Sequence, residues 1–297
     1  MSLLIPDNNV LLQFVPNVLK SVQGETLLFD KIAPHLEVAE AWFTTTFLSE
    51  AVLAELPTRD ANNKLLHYAR MAVVAESMLH AVPQLYLVLT PNGFGVVSNT
   101  NIAPVSKERV ERLLLSLEKM RDDTLSILLP LLANTEAWAT SDPCQYFEQT
   151  LYSWLDLPRK LGSTDHSWQR YQELHSKLIA IEERLAHDFF SCELLATLRQ
   201  SELLGKWGEP PSAPHYKRAW RHIFAIELYM LREDELPVPS CIEVVKSLRN
   251  APDGIFEEWN RRRLRSLRIM GIKTKNSQVA IGSNIYRIFV ASKIVII

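Results

Sequence analysis

Glycine and cysteine are both scarce in this sequence, and neither sign of charge dominates. The 297 residues contain nine glycines, which is about 3% against a usual ~7%. Because glycine supplies the positive φ angles of tight turns, its scarcity argues against a turn-rich β protein and favours long helices. The three widely spaced cysteines form neither a disulfide framework nor a zinc-ligand pattern, which predicts a reducing compartment.

Long apolar runs are also lacking. No stretch approaches the ~18 consecutive apolar residues that predict a membrane-spanning helix. The first residues, MSLLIPD, lack the basic segment and long apolar core of a signal peptide. A net charge of −2 provides no global field that would attract nucleic acid or a membrane surface. We therefore expect a cytoplasmic protein with no membrane partner.

Apolar residues recur at helical spacing through most of the chain. The longest such patterns predict helices over 27–56, 64–81, 107–133 and 168–204. The expected fold class is therefore mainly α, built from two helical halves. We expect three regions: an N-terminal helical domain over 1–160, a C-terminal helical domain over 161–270, and a β-prone tail over 271–297.

Two segments depart from the helical pattern. Residues 85–98 place Pro91-Asn92-Gly93 between two apolar runs, which predicts a short β-hairpin because Asn and Gly tolerate left-handed φ. The apolar alternation near 278–297 predicts a second, C-terminal β-hairpin. Gly93-Phe94-Gly95 superficially matches a dinucleotide-binding loop, but the third glycine is missing and no helix follows directly. The hairpin is the better interpretation.

Two sequence motifs recur between the halves. Residues 47–56 (FLSEAVLAEL) reappear as 189–198 (FFSCELLATL), at an offset of 191 − 49 = 142. HYAR at 67–70 reappears as HYKR at 215–218, at an offset of 215 − 67 = 148. Each copy of the first motif follows an acid-bearing helical stretch, at Glu40 and at Glu182. The order and spacing favour duplication of the first two helices of each half; chance similarity between amphipathic helices is the alternative.

A search for catalytic or metal-binding motifs identifies none. Glu76 and His80, like Glu183 and His187, are i,i+4 pairs rather than the Glu-x-x-His of di-metal bundles. Walker, Gly-x-Ser-x-Gly and His-Glu-x-x-His patterns are absent. The cysteines are expected to be ordinary buried thiols. We therefore expect no catalytic residues, no cofactor and no metal, and predict a protein that is not an enzyme.

A basic run near the C-terminus is the strongest charge feature. Seven cations occur within fifteen residues without an acid, among them Arg261, Arg262, Arg263, Arg265 and Arg268. One interpretation is a set of favourable cations at a helix C-terminus, preceded by two glutamates. The other interpretation is a contact with nucleic acid or an acidic partner.

An apolar β-prone end suggests strand addition. The final residues KIVII would aggregate if left exposed, so we expect them to pair with a sheet edge in this chain or a neighbouring one. The edge residues of this hypothesis are Leu87, Leu89, Phe94 and Val96 of the first hairpin, and Ile294, Val295 and Ile296 of the tail.

The segments LTPNGFGVVSN (89–99) and IAPVSKERVERL (102–113) resemble an uncharacterised family from gut bacteria and their prophage-like elements. The resemblance covers roughly residues 1–135. A looser, architectural resemblance is to phage head–tail connector (adaptor) proteins, small helical proteins that assemble as rings. This chain is about twice as long as one such unit, which a duplicated unit would reconcile.

The resulting functional expectation is a non-enzymatic structural or assembly protein, and the more specific expectation is a phage-derived head–tail connector component. Its partners would be further copies of itself and other assembly proteins, and its location the cytoplasm or a virion assembled there. The alternative is an intracellular helical protein–protein adaptor without a role in a virion.

Overall fold

A computed structural model describes residues 2–15, 26–60, 63–85, 88–90, 93–95, 106–163, 168–208 and 212–249. The described residues are mainly helical, which confirms the predicted fold class at that level. They belong to two compact units. The first lies within Met1–Glu148 and Ser153–Leu174, and the second within Gln149–Tyr152 and His175–Ile297. The domain limits at 160 and 270 stay predictions.

The helices of the first unit are separated by short irregular turns. They are α1 (Asn8–Leu12), α2 (Leu28–Phe43), α3 (Glu50–Glu55), α4 (Lys64–Leu85), α5 (Lys107–Ala133), α6 (Asp142–Glu148) and α7 (Leu157–Lys160). A π-helical turn, Thr44–Leu48, links α2 to α3, and a 3-10 turn, Leu56–Thr58, follows α3.

The remaining helices lie mostly in the second unit. They are α8 (Trp168–Asp188), α9 (Cys192–Leu203), α10 (Ser212–Glu233) and α11 (Val238–Arg249). Residues of α8 up to Leu174 belong to the first unit. The C-terminal part of the chain, including the expected hairpin near 278–297, lies outside the described residues.

The expected hairpin over 85–98 is not seen at its full length. In the described residues, β1 (Val88–Thr90) pairs antiparallel with β2 (Gly93–Gly95) over three residues each. The register places Val88 opposite Gly95, Leu89 opposite Phe94 and Thr90 opposite Gly93. The pairing is too short to form an independently stable sheet.

Aromatic side chains form the core of the first unit. The Phe47 ring lies 4.6 Å from that of Trp168 and 5.8 Å from that of Phe147, measured between centroids. The indole N–H of Trp138, itself fully buried, donates to the Phe47 carbonyl over 2.6 Å. That bond satisfies a carbonyl of the π-helical turn that would otherwise be buried without a partner. The turn between α2 and α3 is thereby tied to the core.

A non-helical segment, residues 2–5, is held by α2 and α4. Buried Glu40 on α2 accepts hydrogen bonds from the Ser2 hydroxyl (2.6 Å) and the backbone N–H groups of Leu3 (2.9 Å) and Leu4 (2.8 Å). The Leu4 carbonyl accepts from Arg70 Nε on α4 (2.9 Å). The backbone of Leu4 is therefore satisfied on both sides by side chains, which allows non-helical chain to be buried.

The second unit holds a non-helical segment in the same way. The Leu151 N–H donates to Glu182 Oε1 on α8 over 2.6 Å, and its carbonyl accepts from Trp220 Nε1 on α10 over 2.8 Å. The neighbouring Tyr152 ring stacks on Phe224, with centroids 4.4 Å apart. As at Leu4, a glutamate on one long helix accepts from the backbone N–H of a single residue, and a side chain on another helix donates to the carbonyl of that residue. We call each of these two arrangements a backbone clamp.

Two helices predicted as continuous are interrupted at the repeated motif. The chain was expected to be helical over 27–56 and over 168–204, but new helices begin after Ser49 and after Ser191. Each serine hydroxyl accepts from a backbone N–H of the new helix, from Val52 (3.4 Å) and Leu194 (3.1 Å) respectively. Apolar periodicity continues through both breaks, so only the capping serines indicate them.

Candidate interaction surface

The N-terminal half of α5 presents apolar side chains to solvent. No residue of α5 between Lys107 and Arg121 is buried, whereas Leu125, Leu128 and Leu132 further along the helix are. Leu113 is 46% exposed although it is a large aliphatic side chain. The sequence pattern alone would assign these leucines to one buried face. The structure divides them into a buried C-terminal part and an exposed N-terminal part.

One line of α5 residues forms an exposed apolar stripe. We use this name for Leu113, Met120 and Ile127, which follow one another at seven-residue spacing and so lie on one helix face. Ile127, like Leu113, is 46% exposed, and Met120 is half-buried. Contiguous exposed apolar side chains on a soluble helix indicate a contact surface more often than scattered ones do.

A shallow groove between α4 and α5 borders this stripe. It encloses about 350 Å³, and its walls include Tyr68 and Met71 from α4 and Ser116, Lys119, Met120 and Ile127 from α5. We call it the α4–α5 groove. Methionine side chains adapt to irregular partners, and an amphipathic helix is the usual occupant of a groove between two helices. The groove is lined by both apolar and charged side chains, the latter including Lys119 and Asp123.

A buried ionic cluster joins α4 to α5. Arg121 donates to Glu76 Oε2 on α4 (2.9 Å) and to Asp122 Oδ1 (2.8 Å), with the guanidinium side chain 15% exposed. Asp122 Oδ2 also accepts from the Trp168 N–H over 3.2 Å. Burial alone would lower the pKa of Arg121, but its hydrogen bonds to Asp122 and Glu76 outweigh burial and raise that pKa. The cluster therefore joins α4 to α5 through buried charges.

The second unit contains a pair of fully buried glutamates. Glu182 accepts from Arg199 Nε (2.7 Å) and pairs with Arg199 Nη2 (2.6 Å). Burial raises the pKa of Glu182 as well, but the Arg199 guanidinium favours its ionised form, so Glu182 is the member of the pair that holds the negative charge. Neither oxygen of Glu227 accepts a hydrogen bond from the described residues. Burial and the neighbouring Glu182 charge raise the pKa of Glu227 well above its ordinary value. As a carboxylic acid, Glu227 can donate to Glu182.

This glutamate pair is not accessible to a substrate. Both side chains are 0% exposed, so no molecule in solution can touch either carboxyl in this conformation. The pair can hold one proton and one charge inside the unit. We regard it as a structural feature with a pH dependence, not as a reaction centre.

The histidines and cysteines that the sequence offers as candidate metal ligands or nucleophiles make only local contacts or are buried thiols, with one exception. His80 Nε2 contacts Glu76 Oε1 at 3.1 Å, as expected of an i,i+4 pair, whereas His187 Nδ1 contacts Asp188 at 2.8 Å. No cluster of three or more potential metal ligands occurs among the described residues. Cys144 and Cys241 are buried, and burial raises their pKa values to about 11 and about 12. Cys192 is exposed, which corrects the expectation that all three thiols are buried.

Most residues proposed from the sequence as contacts lie outside the described parts of the chain. This applies to the basic run Arg261, Arg262, Arg263, Arg265 and Arg268, and to Leu87, Val96, Ile294, Val295 and Ile296. The structure does bring Leu89 and Phe94 together as directly opposed residues of β1 and β2. The groove was not found from sequence, although the seven-residue spacing of its stripe is visible there.

Comparison with known proteins gives one partial match. A family of unknown function (DUF6712) matches residues 15–148, which is under half of the 297 residues. No curated protein and no solved structure matches the chain significantly. Among the described helices, none is long and apolar enough to cross a membrane. The matched region contains α2 to α6, and therefore the whole α4–α5 groove. In this region the chain is similar to a family whose function is unknown, as the resemblance of residues 1–135 led us to expect.

Proposed function

We propose that this protein is a non-enzymatic assembly protein that associates with other proteins through the α4–α5 groove and its exposed apolar stripe. One observation carries the proposal: Leu113 and Ile127 are each 46% exposed on a helix that is otherwise well fixed to the unit. Because about half of each side chain is still in water, a partner that covered it would recover roughly half of the ~1.5–3 kcal/mol for burying a whole Leu or Ile side chain, about 0.7–1.5 kcal/mol each.

A single-residue comparison on α5 tests this role. Leu113→Glu places a charge on the stripe, and Leu115→Glu makes the same change two residues away, where Leu115 is 64% exposed on another face. We expect the first variant to lower self-association or partner binding roughly tenfold or more, because it removes buried apolar area and buries a charge. The second should bind like the wild type. Circular dichroism would verify that both variants fold.

Light scattering after size exclusion measures the association state. A wild type that stays monomeric at all accessible concentrations, and that binds no assembly protein through the stripe, would contradict the proposal. Equal loss of association in both glutamate variants would also contradict it, because the effect would then depend on charge rather than on the stripe.

The more specific proposal is a phage-derived head–tail connector component. Two observations support it. The N-terminal half resembles connector proteins in architecture, and the whole chain is about twice as long as one connector unit, as a duplicated unit would be. The clamps at Leu4 and Leu151 favour such a duplication, since each joins one backbone position to a buried glutamate. Rings in negative-stain images would support the connector role. A discrete small oligomer would favour the alternative, an intracellular helical adaptor without a role in a virion.

Two further contacts are proposed beside the groove: pairing of the C-terminal strand with a sheet edge, and a contact of the basic run with nucleic acid or an acidic partner. Salt-dependent retention on DNA, compared between the wild type and an Arg261/Arg262/Arg263→Ala variant, distinguishes a nucleic-acid contact from a helix-end charge pattern. Deleting residues 291–297 without any change in oligomeric state would argue against pairing of the tail with a neighbouring chain.

A further inference from the structure

The exposed side of α10, in the second unit, carries cations without acids between them. From Ser212 to Arg232 the only acid of this helix is Glu227, which is fully buried. Lys217 and Arg218 are exposed and lie four and three residues before exposed Arg221, so each is a neighbour of Arg221 on the helix surface. We call Lys217, Arg218 and Arg221 the α10 basic face.

The other long surface helices α5 and α8 differ in this respect, because both carry exposed acids beside their exposed cations. Three of the resulting ion pairs join Arg112 to Glu108 (2.6 Å), Arg170 to Glu173 (2.6 Å) and Arg184 to Asp188 (4.0 Å). The three cations of the α10 basic face form no ion pair with any other described residue. Their charge is therefore available to an anionic partner.

The α10 basic face also lacks an apolar centre. Between Pro214 and Arg232, the only large apolar side chain that is exposed on α10 is Tyr229, at 41%. Protein partners usually bury an apolar centre from which charged side chains are depleted, and a membrane surface takes up a helix through large apolar side chains. Neither matches this face. A polyanion does, because it is bound through its charges.

Aromatic rings beside the face are in contact with one another. The Trp220 ring stacks on Phe224, with centroids 5.4 Å apart, and meets the edge of Trp207 at 6.1 Å. Lys217 Nζ lies 5.9 Å from the centroid of the Trp207 ring. Sites for single-stranded nucleic acid use aromatic rings as platforms for unpaired bases. Here the rings pack within the unit, which favours a partner bound by phosphate contacts alone.

We propose that the α10 basic face binds the phosphate backbone of duplex DNA. This inference is independent of the α4–α5 groove and adds a second contact surface to the protein. Lysine and arginine are the usual phosphate contacts, and the Tyr229 hydroxyl can donate to a phosphate oxygen beside them. The net charge of −2 does not oppose such a contact, because salt confines the attraction to roughly 10 Å around the face.

Fluorescence anisotropy with a labelled duplex of about 20 base pairs tests the contact, since this length exceeds the ~33 Å of α10. The test variant is Lys217→Gln/Arg218→Gln/Arg221→Gln. Binding to the variant should weaken tenfold or more at about 50 mM salt. The slope of log K against log salt should fall by about 2.7, because each phosphate contact contributes about 0.9.

The matched control removes the same number of positive charges elsewhere. It replaces the ion-paired arginines of α5 and α8, as Arg112→Gln/Arg170→Gln/Arg184→Gln, and should bind the duplex like the wild type. Arg218→Lys/Arg221→Lys keeps the charge and should retain the salt slope, because lysine contacts phosphate as a point charge. Arg218→Gln alone should lower the slope by about 0.9, which gives a second measurement if the triple variant does not fold.

Loss of duplex binding in the α10 variant alone supports the proposal. Equal loss in both triple variants would overturn it, because net charge would then explain the effect. No duplex binding by the wild type at about 50 mM salt would also overturn it, as would tighter binding of the single strand or of polyglutamate. Loss of binding in Arg261/Arg262/Arg263→Ala with unchanged binding in the α10 variant would assign the contact to the basic run instead. The Leu113→Glu test of the groove is unaffected by each of these results.

Discussion

The buried Glu227 predicts a specific dependence of stability on pH. The carboxyl is fully buried beside ionised Glu182, and both conditions raise its pKa in the folded protein above the ordinary value of 4.5. The folded chain therefore keeps a proton that the unfolded chain releases. The stability contributed by this proton is fully present below about pH 4.5 and is lost as the pH rises toward the folded-state pKa.

Glu227→Gln removes this dependence while preserving shape. The glutamine amide is neutral and can donate to Glu182, as the protonated acid does. One bound proton changes the free energy of unfolding by at most about 1.4 kcal/mol per pH unit. We expect the free energies of unfolding of the variant and the wild type to be equal near pH 4.5. Above that pH, the variant should become more stable than the wild type by up to about 1.4 kcal/mol for each pH unit. The difference should stop growing once the pH exceeds the folded-state pKa.

Urea unfolding at pH 5, 6, 7 and 8 measures the predicted divergence. Glu182→Gln is the matched control, because it removes the charge paired with Arg199 instead of the protonated partner. That change should destabilise the protein by about 3 kcal/mol, since a partly buried guanidinium loses its counterion. Parallel stability curves for the wild type and Glu227→Gln would refute the reasoning, because they would show that Glu227 does not hold the proton.

Two further comparisons use matched positions. Ser49 has a φ of 79° and Ser191 a φ of −120°, although both cap helices. Ser49→Gly should stabilise by about 1 kcal/mol by relieving strain, and Ser191→Gly should not; thermal melts distinguish them. Arg121→Met should cost about 3–5 kcal/mol because it strands the carboxylate of Glu76, whereas Arg112→Met, at a side chain 76% exposed, should cost under about 0.5 kcal/mol. Equal losses for the two arginines would contradict the role of the buried cluster.

Helix content and the limits of single helices could be predicted from the sequence. The predicted helix over 107–133 coincides with α5, and the one over 64–81 is extended to Leu85 in α4. The extension passes Pro83, which loses one backbone hydrogen bond near the helix end. The breaks before Ser49 and Ser191 could not be predicted from periodicity, because buried apolar residues continue through them at helical spacing.

The candidate surface depends on information that the sequence does not contain. Leu113, Leu125 and Leu128 belong to one apolar helix pattern, yet only the last two are buried. Which part of an amphipathic helix is covered depends on how far the neighbouring elements extend along it. The burial of Glu40 and Glu182 could not be predicted from the sequence either. Each has the sequence context of an ordinary surface acid, and its hydrogen-bond partners come from segments distant in the chain.

Those two glutamates also bear on the proposed duplication. Amphipathic helices share leucine, alanine and phenylalanine by necessity, so apolar similarity at a fixed offset is weak support for common descent. A buried carboxylate is different, because burying one costs several kcal/mol unless specific donors surround it. Glu40 and Glu182 differ by 182 − 40 = 142, the offset that also relates Ser49 to Ser191, and each accepts the backbone N–H of a non-helical segment that precedes its helix. The clamped residues themselves, Leu4 and Leu151, are 151 − 4 = 147 apart, so the shared role of the two glutamates supports the predicted duplication, but the two clamped segments do not align at the same offset.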